Sequence, residues 1–258
     1  MENWLTNKSI VVIGGTTGLG FSASRAFIKN GANVVMVGRN PENCLIAELN
    51  LGGNARAKQG DATNPQTALD AIQFCIREFG SFDGLYHVAG GSGQKLGDGP
   101  LHKLTLSGWN QTLDHNLTSM MLSNQAAVRA FMGMNKGGTI LNMSSVLGFS
   151  PASNHFANHA YATAKSAIIG FSKSIASSYA ANNIRVNVVA PGIIEGYEQV
   201  SEEHDQFIFT KQPLDQGRYG NPVDLDGAAV YFMSDYSKFT TGQVLSVDGG
   251  WDVTDGQF

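Results

Sequence analysis

The feature that most constrains the fold is an alternation. Ile10-Val11-Val12-Ile13, Val34-Val35-Met36-Val37, Leu85-Tyr86-His87-Val88, Thr139-Ile140-Leu141-Asn142-Met143, Val186-Asn187-Val188-Val189 and Gln243-Val244-Leu245-Ser246-Val247 are short, largely apolar runs. Several are apolar at every position and rich in β-branched residues, which suits strands covered by helices on both faces. Between them lie stretches of helical length at 21–30, 67–79, 117–132 and 162–181, several followed by Gly or Asn stop signals. Strand and helix alternating in this way predict a parallel α/β sheet. No Pro/Ser linker or charged tract divides the 258 residues, so one domain spanning 1–258 is expected, large enough to bury its own core. One segment, 195–219, breaks the rhythm. There Glu202, Glu203 and Asp205 stand beside Phe207 and Phe209, and the segment reads as an edge insertion and a candidate substrate lid.

Composition excludes several classes. Lys plus Arg is 17 and Asp plus Glu is 21, a net charge of −4, whereas a nucleic-acid protein would carry a basic stripe. Cys44 and Cys75 are the only cysteines, too few for a disulfide scaffold and without metal spacing. Nowhere do 18 apolar residues run together, and residues 1–6 lack the pattern of a signal peptide. A cytoplasmic protein with no nucleic-acid or membrane partner is expected. His155 and His159 stand four apart, but no third suitable ligand is evident and no metal site is expected.

The run Ile10 to Ile13 leads straight into Gly14-Gly15-Thr16-Thr17-Gly18-Leu19-Gly20, and a helical stretch follows. Glycines there let the backbone turn sharply and approach a pyrophosphate, which the free N–H groups of the helix N-terminus then bind. The spacing is G-x-x-x-G-x-G. A second register starting at Gly18 fits the commoner G-x-G-x-x-G, but the end of the strand at Ile13 places the turn at Gly14. This context makes the motif a nucleotide loop.

The second run ends in Val37-Gly38-Arg39-Asn40. An NAD site usually has a carboxylate here for the ribose hydroxyls. Gly38 takes that place, and the Arg39 guanidinium can pair with a 2′-phosphate, with a hydroxyl from Thr16 beside it. NADPH is therefore expected over NADH.

Tyr161 and Lys165 are four residues apart, so a helix sets them on one face. A phenol with a pKa near ~10 is a reluctant acid or base, and a nearby ammonium lowers that value by favouring phenolate. The spacing alone is common. Its force comes from position, because the strand ending in Asn142-Met143-Ser144-Ser145 lies just upstream and ends at the sheet edge where a dinucleotide binds.

With these residues in place the chain resembles the short-chain dehydrogenases/reductases. The resemblance runs from the glycine turn through Asp61, Ala89-Gly90, Asn116, Ser144-Ser145, Tyr161/Lys165 and Pro191-Gly192 to Val247-Asp248-Gly249-Gly250. It implies a Rossmann fold, a doubly wound seven-stranded parallel sheet with helices on both faces. It implies a cofactor site of Gly14, Thr16, Thr17, Gly18, Leu19, Gly20, Arg39, Asp61, Ala62, Ala89, Gly90, Tyr161, Lys165, Pro191, Gly192 and Ile194. Asp61 would meet the adenine, Ala89-Gly90 the adenosine ribose, and the residues after Pro191-Gly192 the nicotinamide. The implied catalytic set is Asn116, supporting a water chain; Ser145, hydrogen-bonding the carbonyl; Tyr161, the acid/base; and Lys165, holding the nicotinamide ribose. The expected reaction is reduction of a small-molecule carbonyl with NADPH, or its reverse. Helices 117–132 and 162–181 would form the interface of a homodimer or homotetramer.

Departures from the family pattern are also legible. His87-Val88 replaces two asparagines, and as a strand residue His87 reads as a hydrogen-bonded core side chain. Ile13 stands for a common threonine, and Gly196 lies near the place of another that would contact the cofactor. A longer stretch before Tyr161, carrying Phe149, His155 and Phe156, would reshape the pocket. Within the same class a 3-ketoacyl thioester reductase is the alternative, with Arg129 and Lys136 available to an acidic carrier but the acidic 202–205 segment opposing it. That opposition favours a small polar or ring ketone. The other readings are an epimerase or dehydratase that recycles its cofactor, and a non-catalytic NADP(H) sensor or scaffold.

Overall fold

In the computed structural model, strand residues sort by parity onto two apolar clusters. Residues 3–152, 156–196 and 202–255 are described. On one face of the sheet Ile10, Val12, Val34, Met36, Tyr86 and Leu141 pack together; on the other, Val11, Ile13, Val35, Val37, Leu85 and Ile140 do. Side chains alternate across a strand, so an unbroken apolar run necessarily feeds both layers.

Seven parallel strands make the sheet: β1 (Ser9–Ile13), β2 (Asn33–Gly38), β3 (Ala55–Gln59), β4 (Gly84–His87), β5 (Gly138–Met143), β6 (Ile184–Pro191) and β7 (Val244–Val247). Their order is β3-β2-β1-β4-β5-β6-β7, with every pairing parallel. The order reverses between β1 and β4, and a ligand crevice opens beyond the carboxyl ends of strands at such a switch point. This is the expected doubly wound Rossmann sheet. Helices α1 (Gly18–Lys29) and α8 (Asp226–Met233) cover one face. Helices α3 (Pro65–Phe79), α5 (Ser119–Gly133) and α6 (His159–Tyr179) cover the other. Among the described residues no helix is long and apolar enough to cross a membrane.

Four elements differ from the sequence expectation. β3 was not legible as a strand, because Ala-Arg-Ala-Lys-Gln at the sheet edge has only two alanines to bury. Its cations lie instead on α3: Arg56 bonds Glu78 and lies over Phe79, and Lys58 lies over Phe74. Helix α2 (Pro41–Leu51) exposes Leu45, Ile46 and Leu49, so its apolar residues trace no single stripe. The stretch before α5 is helical too: α4 (Leu106–Leu113) continues into it through a π-helical turn, Asp114–Thr118. Within the expected insertion 195–219, residues 202–211 form helix α7 (Glu202–Lys211). It buries Ile208 with Val146, Leu147, Phe156, Ile193 and Trp251. Residues 197–201 of that segment, and His155, lie outside the described residues.

Candidate active site

A cleft of about 540 Å³ runs along the carboxyl ends of β1, β4, β5 and β6. Thr16, Thr17, Leu19, Arg39, Asp61, Ala62, Ala89, Gly90, Ser144, Ser145, Tyr161 and Lys165 all line it, as do Gly14, Gly18, Pro191, Gly192 and Ile194. Of the residues expected from the sequence, only Gly20 and Asn116 do not, and both stand directly behind the wall.

The glycine turn is built for a close approach. Gly14 has φ +85°, and a Cβ there would come within 2.7 Å of Ala89 N. A Cβ on Gly20 would overlap the carbonyl of Gly14, so the first turn of α1 can lie directly on the loop only with glycine at that position. Gly14 and Gly15 both donate their N–H to Val37 O, at 2.9 and 3.0 Å, which pins the loop to the end of β2. The described glycine cradle and its helix N-terminus fit a dinucleotide pyrophosphate. At the end of β2 a Cβ on Gly38 would overlap Thr16 Oγ1, so Thr16 closes the place where a carboxylate would stand. Arg39 remains exposed beside it and lines the cleft.

Asp61 Oδ1 accepts from Thr63 N at 2.9 Å and Thr63 Oγ1 at 2.7 Å. Those two bonds, with a smaller contribution from Arg39, hold its carboxyl below the usual range, and it is ionised at neutral pH. His115 also lines the cleft, a residue that no motif marks out. It is partly buried, its ring Nε2 3.5 Å from a Cβ placed on Gly91, and electrostatically coupled to both Arg39 and Asp61. Burial and the Arg39 charge push its pKa down, so it enters the site as a neutral imidazole. The only local signal is its place immediately before Asn116.

Asn116 is fully buried in the π-helical turn. Its Nδ2 donates to Gly91 O and Thr112 O, both at 3.0 Å, and its Oδ1 accepts from Gly91 N at 3.1 Å. The side chain therefore shapes the loop after β4. Beside it, His87 is buried in β4, with Nδ1 2.8 Å from Ser123 Oγ and Nε2 3.1 Å from Ala89 O. Desolvation lowers its pKa to about 3 and keeps it neutral, as befits a core histidine.

Tyr161 and Lys165 project from the first turns of α6 into the cleft, Lys165 Nζ lying 5.4 Å from the Tyr161 ring centroid. Two bonds lock α6 to the end of β5. Ser144 Oγ donates to Lys165 O at 2.7 Å, and Lys165 Nζ donates to Met143 O at 3.1 Å. Lys165 is only 4% exposed, and desolvation lowers its pKa to about 8. Ser145 Oγ accepts from Leu147 N at 3.2 Å while its own hydroxyl proton stays available to the cleft. Tyr161 packs against the apolar cluster around Phe156 and Trp251, so one side of the cleft is greasy. Beyond β6 the wall is fastened by Gln212, whose Oε1 accepts from Ile193 N at 2.5 Å and whose Nε2 donates to Ile193 O at 3.1 Å. Among the described residues no three His, Cys, Asp or Glu side chains are grouped to hold a metal.

A dinucleotide crevice on a doubly wound sheet, with a tyrosine and a lysine one helical turn apart at its centre, defines the class of protein. The chain belongs to the short-chain dehydrogenases/reductases, oxidoreductases that interconvert carbonyls and alcohols. Residues 14–252 match the family model described as enoyl-(acyl carrier protein) reductase. Among curated relatives, the 3-oxoacyl-(acyl-carrier-protein) reductase FabG of Chlamydia muridarum is 33% identical, covering 97% of this chain and 99% of its own. The 2,5-dichloro-2,5-cyclohexadiene-1,4-diol dehydrogenase LinX of Sphingobium indicum is 29% identical over 98% and 99%. A solved short-chain type dehydrogenase/reductase from Mycobacterium ulcerans superposes with a TM-score of 0.87 at 28% identity, covering 96% of this chain and 91% of that one.

Proposed function

We propose that the protein is an NADPH-dependent carbonyl reductase, or the corresponding alcohol dehydrogenase, with Tyr161 as its acid/base. The observation that carries the reading is the convergence of Ser145, Tyr161 and Lys165 on the cleft that the glycine turn also lines. NADPH, when bound, supplies the hydride. The turn from Gly14 to Gly20 would hold its pyrophosphate, Arg39 and Thr16 its 2′-phosphate, Asp61 with Ala62 its adenine, Ala89 and Gly90 its adenosine ribose, and Ile194 the nicotinamide side. Lys165 would hold the nicotinamide ribose.

The chain's own groups then manage the oxygen and its proton. Ser145 Oγ and Tyr161 Oη hydrogen-bond the carbonyl oxygen and stabilise the negative charge that grows there. Tyr161 gives its proton to the forming alkoxide. The Lys165 ammonium beside the ring favours the phenolate left behind. Asn116 fixes the loop that walls this space. The apolar face near Tyr161 suits a ring or short acyl chain, in keeping with the ring diol of one relative and the 3-oxoacyl group of another. The acidic first turn of α7, with Glu202, Glu203 and Asp205, weighs against docking an acidic carrier and toward a free ring ketone. Residues 195–219 would act as the lid on that side.

The cofactor preference has its own test. Losing a hydrogen bond to a charged group costs about 1.5–3 kcal/mol, so Arg39→Ala should weaken NADPH roughly 10- to 100-fold. NADH binding should hardly change. Fluorescence titration of both cofactors measures this, and equal affinities in the unaltered protein would overturn the NADPH assignment.

A further inference from the structure

The loop after β4 reaches across to the helix that carries Tyr161. Gly93, at φ +75°, packs so tightly that a Cβ would stand 2.6 Å from Thr112 Cγ2 of α4 and 3.0 Å from Asp98 Cβ. Gln94 Nε2 donates to Asn158 Oδ1 at 3.4 Å. Asp98, only 7% exposed, accepts through Oδ1 from Gly99 N at 2.8 Å and Ala160 N at 3.0 Å. Its Oδ2 accepts from Tyr161 N at 2.8 Å.

These contacts replace a helix cap. Asn158 holds the N-cap position of α6 but makes no side-chain cap bond. The amides of Ala160 and Tyr161 are the second and third of the helix, the two that an N-cap side chain ordinarily satisfies. A carboxylate from a distant loop takes both. Charge-assisted bonds at the positive end of a helix are the strongest form such a cap can take.

We infer that Asp98 is the positioning residue for Tyr161. The inference rests on the reading of Tyr161 as the acid/base. Asp98 holds the backbone of Tyr161 itself, so together with the Ser144 and Lys165 bonds that lock α6 to the end of β5 it fixes where the phenol stands relative to Ser145, two residues beyond that strand. It also ties the wall loop, residues 91–99, to the catalytic helix, so a substrate that presses on the loop presses on the acid. A displacement of about 1 Å at a reacting group can cost 10²-fold in rate.

The test compares Asp98→Ala, Asp98→Asn and Tyr161→Phe with the unaltered protein. The readouts are kcat and the KM for NADPH with acetoacetyl-CoA as substrate, the melting temperature, and residue-resolved hydrogen exchange of the Ala160 and Tyr161 amides. Asp98→Ala should lower kcat about 10- to 100-fold with the KM for NADPH unchanged. Its two amides should exchange at least about tenfold faster, since each loses a hydrogen bond to a charged group. Asp98→Asn keeps one acceptor and should fall between. Unchanged exchange in Asp98→Ala would overturn the clamp, and that measurement decides it even where acetoacetyl-CoA is not turned over. Faster exchange with undiminished kcat would overturn the positioning role. So would a kcat loss that tracks NADPH affinity and thermal stability, with Asn no better than Ala, since that pattern marks a merely structural cap. An active Tyr161→Phe would instead strike the acid/base assignment and leave the clamp standing.

Discussion

Tyr161→Phe should lower kcat by about 10²- to 10⁴-fold, the range that a positioned general acid contributes. It should leave NADPH affinity and folding nearly unchanged. The side chain is half-buried against the cluster of Phe156 and Trp251, and a phenylalanine ring fills the same volume. The backbone N–H of residue 161 keeps its bond to Asp98, so the helix start is undisturbed. What disappears is the hydroxyl alone. Among the described residues, Lys165 Nζ is engaged with Met143 O and His87 is a neutral histidine bonded within the core, so neither takes its place. Stopped-flow or steady-state rates with a fluorescence titration of NADPH separate the two effects. Loss of both together would mean that Tyr161 serves binding more than chemistry.

Lys165→Met should move activity and stability in opposite directions. Activity should fall at least about 10²-fold, because both the cation beside the phenol and a ribose contact are lost. Stability of the cofactor-free protein should rise. Burial lowers the lysine's pKa from 10.5 to about 8. A cation whose folded pKa is depressed binds fewer protons when folded, so the folded state carries a penalty at neutral pH that shrinks as pH rises. The penalty is full below pH 8, fades between pH 8 and 10.5, and is absent above, amounting to about 3 kcal/mol at pH 7. Methionine removes it but takes the Lys165 donor from the Met143 carbonyl, at a cost of about 1–3 kcal/mol. The net gain of up to about 2 kcal/mol corresponds to a rise of up to roughly 4–8 °C in Tm. Thermal denaturation at pH 7 and pH 10 checks the sign, since the advantage should vanish or invert at the higher pH. A variant less stable at pH 7 would show that the ammonium is stabilised by its surroundings instead of strained by them.

The parts of the fold that were legible in the sequence are those specified locally. β1 and β2 carry unbroken apolar runs, Ile10–Ile13 and Val34–Val37, because helices cover both their faces. The glycine turn shows in sequence because part of its glycine requirement is local, Gly20 against Gly14, although Gly14 itself is forced by Ala89 far along the chain. Tyr161 and Lys165 are paired by a helical turn, again a local rule. Less legible were elements defined by what packs on them. β3 is recognisable only once Phe74 and Phe79 of α3 are in place for its cations. The short apolar segment forming α8 is ambiguous between helix and strand until its neighbours are known. At the site, Asp98 sits in a glycine-rich loop with no periodic signal, and its partners lie some 60 residues away. His115 and Gln212 are likewise defined by cleft geometry and by a distant backbone.

The central claim is that this cleft moves a hydride between NADPH and a carbonyl while Tyr161 moves the proton. It is tested most directly with NADPH deuterated at the transferring C4 position, incubated with a panel of ring ketones, aldehydes, keto-sugars and 3-ketoacyl thioesters. Products are read by mass spectrometry. The account predicts an alcohol with one deuterium on the former carbonyl carbon, formed by the unaltered protein and not by Tyr161→Phe. Bound NADPH with no labelled alcohol from any member of the panel, or label appearing equally with Tyr161→Phe, would contradict it.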